Sequence, residues 1–165
     1  MFFTRKKLEG KNDGYGRLYV IKFEFDGGLV LHKVGMCNTN RTLDRLLEIL
    51  RSFFVLKRYM PRVTIRKDKK TIAPLLVEKH MHGLLDEWNY DFGFRFDGST
   101  EFFHSLDEEV LFDYLDNFDY RELLRTTVGM KREDYDAIKG ELATLDQKKM
   151  TKKEKVALDS NEIPF

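Results

Sequence analysis

The chain has 165 residues, 42% hydrophobic and 13% aromatic, with a formal net charge of +1 at pH 7. This length supports one sizeable core, so we expect one domain with an appendage. The single cysteine, Cys37, excludes an intrachain disulfide and a cysteine-based zinc site. No apolar run approaches the roughly 20 residues that span a bilayer, and the start of the chain lacks the apolar core of a signal peptide. We therefore expect a soluble, cytoplasmic protein with no membrane partner.

The small net charge conceals an uneven distribution along the chain. Residues 41–70 carry ten Lys or Arg against three acidic residues, whereas residues 71–130 carry four basic against thirteen acidic residues. A positive block of this kind is typical of a protein that binds a phosphate backbone, but a solvated helix face followed by a basic turn gives the same pattern. The candidate DNA-binding residues of the block are Arg41, Arg51, Lys57, Arg58, Arg62, Arg66, Lys67, Lys69 and Lys70.

A hairpin is predicted near the start of the chain, after a flexible basic arm at 1–13. Two runs rich in β-branched and aromatic residues flank Asp26-Gly27-Gly28, a sequence typical of a tight turn between paired strands. We therefore expect strands at about 16–25 and 29–34. Gly35 is predicted to end the second strand.

Helix, strand and helix are predicted to follow the hairpin. A helix at about 40–56 is indicated by apolar residues at helical spacing, and a third strand at 63–66 is predicted to end in a polar turn at 67–70. The next helix is predicted over 73–88. The apolar stripe of the first helix is predicted to comprise Leu43, Leu46, Leu47, Leu50 and Phe54.

A short extended piece at 101–103 is predicted to lead into a capping box at Ser105–Glu108. The helix that this box begins is expected to run to about Phe118. The chain from 119 to 165 is predicted to be the appendage, with helices at 120–126 and 131–147. Residues 146–165 are charged and poor in bulky apolar side chains, which predicts a frayed or disordered end.

Four polar residues on different predicted elements are candidates for one catalytic site. The hairpin would bring Tyr19 near His32 and Lys33, while Arg45 and Glu78 lie on the two following helices. Phosphodiester hydrolysis needs a group that orients or deprotonates water, a cation on the phosphate and a carboxylate that holds a divalent metal. Tyr19 serves as the base if a neighbouring cation lowers its pKa, and Lys33 serves if burial removes its solvation. The proton acceptor therefore stays open between these two residues.

Glu78 and His82 are four residues apart, so they share one face of the predicted helix. Together they offer two metal ligands, which are too few for a zinc site. His82 is equally explained as a histidine that makes a structural hydrogen bond.

Five short motifs follow one another in the chain. They are Gly16-x-Leu18-Tyr19-Val20, Lys33-Val34-Gly35, Arg45-Leu46, Glu78-x-x-x-His82 and Glu101-Phe102-Phe103. In this order and spacing the chain resembles the GIY-YIG nuclease superfamily over about residues 14–105. The resemblance is closest to the phage-borne branch, whose second motif reads Lys-Ile-Gly.

The resemblance implies a small α/β (α+β) domain, over 14–118, with a three-stranded, mainly antiparallel sheet flanked by helices and followed by the C-terminal helical appendage. It implies an endonuclease that cleaves DNA with one Mg²⁺ or Mn²⁺. Tyr19 matches the general base or water-orienting group, Arg45 matches the arginine on the scissile phosphate, and Glu78 matches the sole protein metal ligand. Lys33 and His82 complete the implied catalytic set.

This sequence departs from the family pattern at two positions, which leaves alternatives open. Lys33 stands where better-known members carry a second tyrosine, a replacement that some active nucleases share, and Ile49 stands where a His or Tyr often follows the arginine. Arg41 competes with Arg45 for the phosphate. One alternative is an inactive copy of the domain that binds DNA or a protein. Another is an interaction protein whose acidic segment at 97–122 is the working surface.

Overall fold

The structure is a computed structural model that describes residues 15–38 and 41–161. These residues form an α+β fold, as the sequence predicts. The strands are β1 (Tyr15–Glu24), β2 (Val30–Asn38), β3 (Arg62–Ile72) and β4 (Phe102–His104). The helices are α1 (Thr42–Lys57), α2 (Pro74–Leu84), α3 (Glu108–Asp116), α4 (Tyr120–Thr126) and α5 (Arg132–Asn161). Within the described part of the chain, none of these helices is long and apolar enough to cross a membrane.

The sheet has four strands in the order β3-β1-β2-β4, and every neighbouring pair is antiparallel. The prediction of a three-stranded sheet therefore missed one strand. The added strand, β4, pairs over only three residues with Leu31–Lys33 of β2. A strand this short has too few residues to show a periodicity, so its pairing becomes visible only in the folded chain.

The β1–β2 hairpin forms around Asp26–Gly28, as predicted, but β2 continues past Gly35 to Asn38. Gly27 and Gly28 both have φ of +84°, a conformation that favours glycine. Gly35 therefore does not end the strand but lies opposite Tyr19 within it. A Cβ atom at Gly35 would lie 2.5 Å from the Tyr19 hydroxyl oxygen, so the missing side chain makes room for the tyrosine.

The hairpin register decides which predicted neighbours meet. Lys33 lies opposite Ile21, two residues along the strand from the Tyr19–Gly35 pair, and therefore on the same face of the sheet as Tyr19. His32 points to the other face because successive side chains alternate. The expectation that Tyr19 approaches Lys33 is thus confirmed, whereas the expectation that it approaches His32 is wrong.

The sheet face that carries Tyr19 packs against α1. The buried side of α1 consists of Leu46, Ile49, Leu50 and Phe53. The predicted apolar stripe was partly wrong, because Leu43 is 60% exposed and Leu47 is 56% exposed, and Phe54 is also exposed. Apolar residues of this helix occupy a wider arc than the sheet covers. The spacing of these residues in the sequence therefore did not show which of them are buried.

Three other element boundaries differ from the predictions. Residues 67–70 continue β3, and the expected polar turn is absent there. Helix α2 ends at Leu84 and is followed by a short 3₁₀ turn at Asp86–Trp88. The N-cap of α3 is Asp107, whose carboxylate accepts hydrogen bonds from the Glu109 and Val110 amides, so the helix starts later than the Ser105 box predicted.

Charged residues of β3 pair with α3. Arg66 forms three hydrogen bonds with the Glu108 carboxylate, at 2.8–3.0 Å, and Lys67 lies 2.7 Å from Asp116. His32 lies 2.9 Å from the same Glu108 carboxylate. Residues 67–70 continue the strand because they pair with β1, and their polar side chains find partners on both neighbours: Lys67 on α3 and Asp68 on Arg17 of β1.

The chain divides into two units, Met1–Phe118 and Asp119–Phe165. In the second unit, α4 and α5 contact each other, and Arg121 pairs with Asp146 at 2.7 Å. Helix α5 runs to Asn161, so the helix predicted at 131–147 extends through 146–161, part of the segment for which a frayed or disordered end was predicted. The predicted arm at 1–13 and the last four residues lie outside the described part of the chain.

The close approach of Tyr19 to Gly35 predicts a stability difference between two glycine substitutions. Gly35→Ala should destabilise the protein by about 1–3 kcal/mol, because the added methyl group overlaps the tyrosine. Gly83→Ala, in α2 with open space around its Cβ position, should leave stability unchanged or raise it by up to about 1 kcal/mol. Urea denaturation of both variants measures the difference, and equal midpoints would contradict the packing described here.

The Glu108 contacts predict a pH-dependent contribution to stability. Hydrogen bonds from Arg66, and then from His32, lower the pKa of Glu108 from 4.5 to about 2. Because this pKa is lower in the folded state, the contribution is present above pH 4.5 and is lost as the pH falls towards 2. Glu108→Gln should cost about 1–3 kcal/mol at pH 7.

Denaturation curves between pH 7 and pH 2 measure this effect. The difference between the wild type and Glu108→Gln should shrink as the pH falls. Glu109→Gln is the matched control, since this neighbouring carboxylate is exposed. A Glu108→Gln effect that stays constant down to pH 2 would show that ionisation of Glu108 does not contribute.

Candidate functional site

Four predicted catalytic residues from four different elements lie together, joined by a fifth residue that was given no role. Tyr19 comes from β1, Lys33 from β2, Arg45 from α1 and Glu78 from α2. Glu101, in the 3₁₀ turn before β4, forms an ion pair with Lys33 and interacts with Glu78. We call these five residues the carboxylate–lysine cluster.

Lys33 is the most buried member of the carboxylate–lysine cluster, with 0% of its surface exposed. Its ammonium group pairs with Glu101 and lies 5.6 Å from the centre of the Tyr19 ring. Burial lowers the pKa of Lys33, and the attraction of Glu101 offsets part of that lowering. Burial thus removes the solvation of Lys33, as a role as proton acceptor would require, but the ion pair with Glu101 favours the ammonium form, which cannot accept a proton.

The backbone of Gly98 lies against the end of the Lys33 side chain. Its φ is +77°, and a Cβ atom there would lie 2.9 Å from Cε and 3.0 Å from Nζ of Lys33. A side chain at this position would press on the lysine and strain the backbone. The turn that carries Glu101 thus approaches Lys33 closely because residue 98 is a glycine.

Tyr19 is only 1% exposed. Burial raises its pKa, and Glu101 raises it further, whereas a hydrogen bond with Arg45 only partly opposes the change. A tyrosine base requires a lowered pKa, and the expectation that Tyr19 has one is therefore wrong. At neutral pH the Tyr19 side chain is a neutral hydroxyl group that contacts a guanidinium group, so it can orient a bound group but not deprotonate it.

Glu78 is a buried carboxyl group, 8% exposed, on the first turns of α2. Burial, and then repulsion by the neighbouring Glu101, raise its pKa to about 7, against the attraction of Lys33 and a hydrogen bond from the Met36 backbone. Glu78 therefore keeps a proton to near neutrality, because burial disfavours its charged form and a second carboxyl group lies beside it.

Two neighbouring carboxyl groups, one of them protonated to near neutrality, are a donor set that a divalent cation can use. Glu78 and Glu101 supply carboxylate oxygens, the ligands that Mg²⁺ and Mn²⁺ prefer. In the described residues, no group of three or more acidic, histidine or cysteine side chains converges on one point. A site for Mg²⁺ needs only one or two carboxylates, since the ion keeps several of its waters. The donor set therefore fits the implied metal.

His82 holds α2 against the sheet. Its Nε2–H donates a hydrogen bond of 2.6 Å to the Val34 carbonyl, and its ring lies 5.5 Å from that of Phe103. Nδ1 lies 3.8 Å from the Glu78 carboxylate. The side chain borders the carboxylate–lysine cluster, and its hydrogen bond to the strand fixes the helix that carries Glu78.

Arg45 and Arg41 differ in what they contact. Both lie near Glu48, at 3.2 Å for Arg45 and 3.4 Å for Arg41, but Arg45 also reaches the Tyr19 hydroxyl group. This contact joins Arg45 to the carboxylate–lysine cluster. Ile49, one turn later, is fully buried in the core between α1 and the sheet.

The candidate DNA-binding residues fall into two groups. On β3, Arg66 and Lys67 pair with carboxylates of α3, and the Lys69 ammonium group donates a 2.6 Å hydrogen bond to the Leu115 carbonyl. Lys70 lies over the Tyr15 ring, at 4.6 Å from its centre. The exposed residues at or after the end of α1 and on its surface are Arg51, Lys57, Arg58 and Arg62. The second group, with Arg45, presents the positive charge of the block more openly than the β3 group does.

Two residues of the site, Glu101 and Gly98, were not predicted to act there. Glu101 belonged to a recognised motif without a role, and the signal that would have found it is the burial of Lys33, since a buried ammonium group requires a counter-charge. The partner could not be chosen from the acidic residues of the chain without the fold. Comparisons of the chain with models of protein families, with curated proteins and with solved structures give no match.

The Lys33–Glu101 pair predicts non-additive effects on stability. Glu101→Gln should destabilise the protein by about 3 kcal/mol, because it leaves a buried ammonium group without its carboxylate. Lys33→Met should cost less, because Glu101 is 26% exposed and retains some solvation. The double variant should cost less than the sum, with a coupling of about 1–3 kcal/mol. Urea denaturation of the three variants measures the coupling, and strictly additive costs would contradict a structural ion pair.

Proposed function

We propose that this protein is a metal-dependent DNA endonuclease of the GIY-YIG type that hydrolyses phosphodiester bonds. The observation that carries the proposal is the convergence of Tyr19, Lys33, Arg45 and Glu78 from four elements onto one region. Each of them matches a motif position of the superfamily. The β1–β2 hairpin brings Tyr19 and Lys33 together, whereas Arg45 and Glu78 join them only through the packing of two helices.

Arg45 is the group we assign to the scissile phosphate. Its guanidinium group is planar, remains charged and lies at the edge of the carboxylate–lysine cluster, where 31% of the side chain is exposed. There it can contact phosphate oxygens while it holds the Tyr19 hydroxyl group. Arg45 thus stabilises the charge that develops on phosphorus, and Tyr19 orients the attacking water.

The proton of the attacking water is assigned to the Lys33–Glu101 pair. Burial raises the pKa of Tyr19, and Lys33 is an ammonium group with no lone pair to offer, so the acceptor in this pair is the Glu101 carboxylate. Glu101 is the partly exposed member of the pair and Lys33 the buried one. A proton therefore passes from water to the exposed side of this pair, while the tyrosine stays neutral.

Glu78, with Glu101 beside it, would hold a divalent cation such as Mg²⁺ or Mn²⁺. The ion would supply Lewis-acid stabilisation of phosphate charge and would compensate the two neighbouring carboxylates. His82 keeps Glu78 in place through its hydrogen bond to β2. The fixed position of the carboxyl group is the contribution of the protein to this site.

DNA is proposed to approach along the exposed cations of α1 and the start of β3. Arg51 is exposed on the helix that carries Arg45, Arg58 is exposed directly after that helix, and Arg62 is exposed at the start of β3. Contacts to phosphate bring affinity without sequence information. The β3 cations contribute less because α3 already neutralises them.

A second candidate function is an inactive domain that binds DNA or a protein partner. The complete burial of Lys33 and the 1% exposure of Tyr19 favour it, since both groups act on a substrate only if water reaches them. In this case the Lys33–Glu101 pair is a structural replacement for a lost catalytic tyrosine. The same side chains then stabilise the fold and leave DNA intact.

Nicking of supercoiled plasmid in Mg²⁺, Mn²⁺ or EDTA separates these proposals. We expect cleavage with either metal and none in EDTA. Glu78→Gln and Arg45→Ala should each slow cleavage by about 10²-fold or more, and Tyr19→Phe by about 10²-fold. Glu87→Gln is the matched control for Glu78→Gln, because Glu87 is an exposed carboxylate after α2.

Each outcome bears on one part of the proposal. Cleavage that survives Glu78→Gln would rule out the site assignment. DNA binding without cleavage by the wild type would favour the inactive domain. Binding that does not weaken as salt rises would contradict the role of the exposed cations, because phosphate contacts release counterions.

A further inference from the structure

A second surface feature lies in the first unit, formed by residues outside the carboxylate–lysine cluster. A groove of about 320 Å³ runs between the end of α2 with its following turn and the start of α3. Its walls are almost entirely apolar. The side chains that carry the argument are Met81, Leu84, Leu85, Trp88, Val110 and Tyr114.

The groove is open to solvent. Leu84 is 49% exposed, Trp88 37% and Val110 67%, so three large apolar side chains of its two walls face water. Adjoining exposed apolar side chains in a concave surface mark a binding site more often than single exposed residues do. Met81 is buried beneath them and gives the groove a firm floor on α2.

Exposed acidic residues adjoin, in sequence, the groove residues of both walls, and we call them the acidic borders. Asp86 and Glu87 are exposed beside Trp88, and Glu109 and Asp113 are exposed on α3, each next in sequence to a groove residue. They differ from Glu108 and Asp116 of the same helix, which pair with Arg66 and Lys67 of β3. The negative charge of α3 is thus compensated on its sheet side and presented to solvent near the groove.

We propose that this groove binds a basic amphipathic helix of a partner protein. An apolar channel takes the apolar face of a helix, with anchors one turn apart, and the acidic borders attract lysine or arginine on its flanks. The same borders repel fatty acids and acidic peptides of equal hydrophobicity. The groove shares no residue with the carboxylate–lysine cluster, so the inference stands independently of the nuclease proposal.

Trp88 makes the proposal directly measurable, since it is the only tryptophan of the chain. The probe is a synthetic amphipathic helix of leucine and lysine, added to the full chain while tryptophan fluorescence is recorded. We expect a saturable blue shift as Trp88 leaves water, with affinity that weakens as salt rises. A leucine–glutamate helix of the same length and a fatty acid are the comparison ligands.

Substitutions locate the binding. Val110→Asp should weaken binding of the leucine–lysine helix by about tenfold or more, because it places a charge in the apolar channel. The double variant Glu109→Lys and Asp113→Lys should weaken it by about tenfold and remove most of its salt dependence. Val128→Asp is the matched control, since Val128 is 97% exposed and belongs to the other unit. Unchanged thermal midpoints verify that the variants are folded.

Three results would overturn the proposal. The first is the absence of a saturable fluorescence change with the leucine–lysine helix. The second is equal or tighter binding of the leucine–glutamate helix or the fatty acid, which would show a site without the proposed charge preference. The third is binding that Val110→Asp leaves intact, which would place the helix elsewhere on the molecule.

Discussion

The buried ion pair between Lys33 and Glu101 is the interaction on which the arrangement of the site depends. An ammonium group with no exposed surface is unfavourable unless a carboxylate reaches it. That carboxylate comes from the turn before β4, so the pair ties the last strand of the sheet to β2. Gly98 allows the turn to come close enough. The same carboxylate then lies beside Glu78, so the requirement of one lysine brings together the two carboxyl groups to which we assign a cation.

The pairing of Tyr19 with Gly35 sets the other side of the site. In an antiparallel hairpin, the register decides which side chains share a face, and here it puts the tyrosine ring over a position without a side chain. The ring is thereby buried, its hydroxyl group turns to Arg45, and its pKa rises. The contact with Gly35 that packs Tyr19 closely therefore also excludes it as the proton acceptor. A tyrosine buried in this way cannot ionise near neutral pH.

Charge compensation divides the surface of the first unit. The cations of β3 and two carboxylates of α3 neutralise each other, which removes both from the set of groups open to a partner. Exposed cations lie on α1 and at the start of β3, and exposed acidic residues adjoin the apolar groove. A nearly neutral chain thus presents two surfaces of opposite charge, for which we propose a nucleic acid and a basic helix as partners.

The sequence by itself determined the elements with a strong local pattern. The turn at Asp26–Gly28, the α1 helix and the candidates Tyr19, Lys33, Arg45 and Glu78 follow from turn residues, helical spacing and short motifs. The tertiary structure decided what depends on contacts between distant residues. The strand at Phe102–His104 exists because β2 supplies its hydrogen bonds, β3 continues through a polar segment because β1 pairs with it, and Glu101 joins the site because Lys33 is buried. Local sequence encodes backbone preference and amphipathic spacing, whereas burial and charge pairing arise only when separate segments meet.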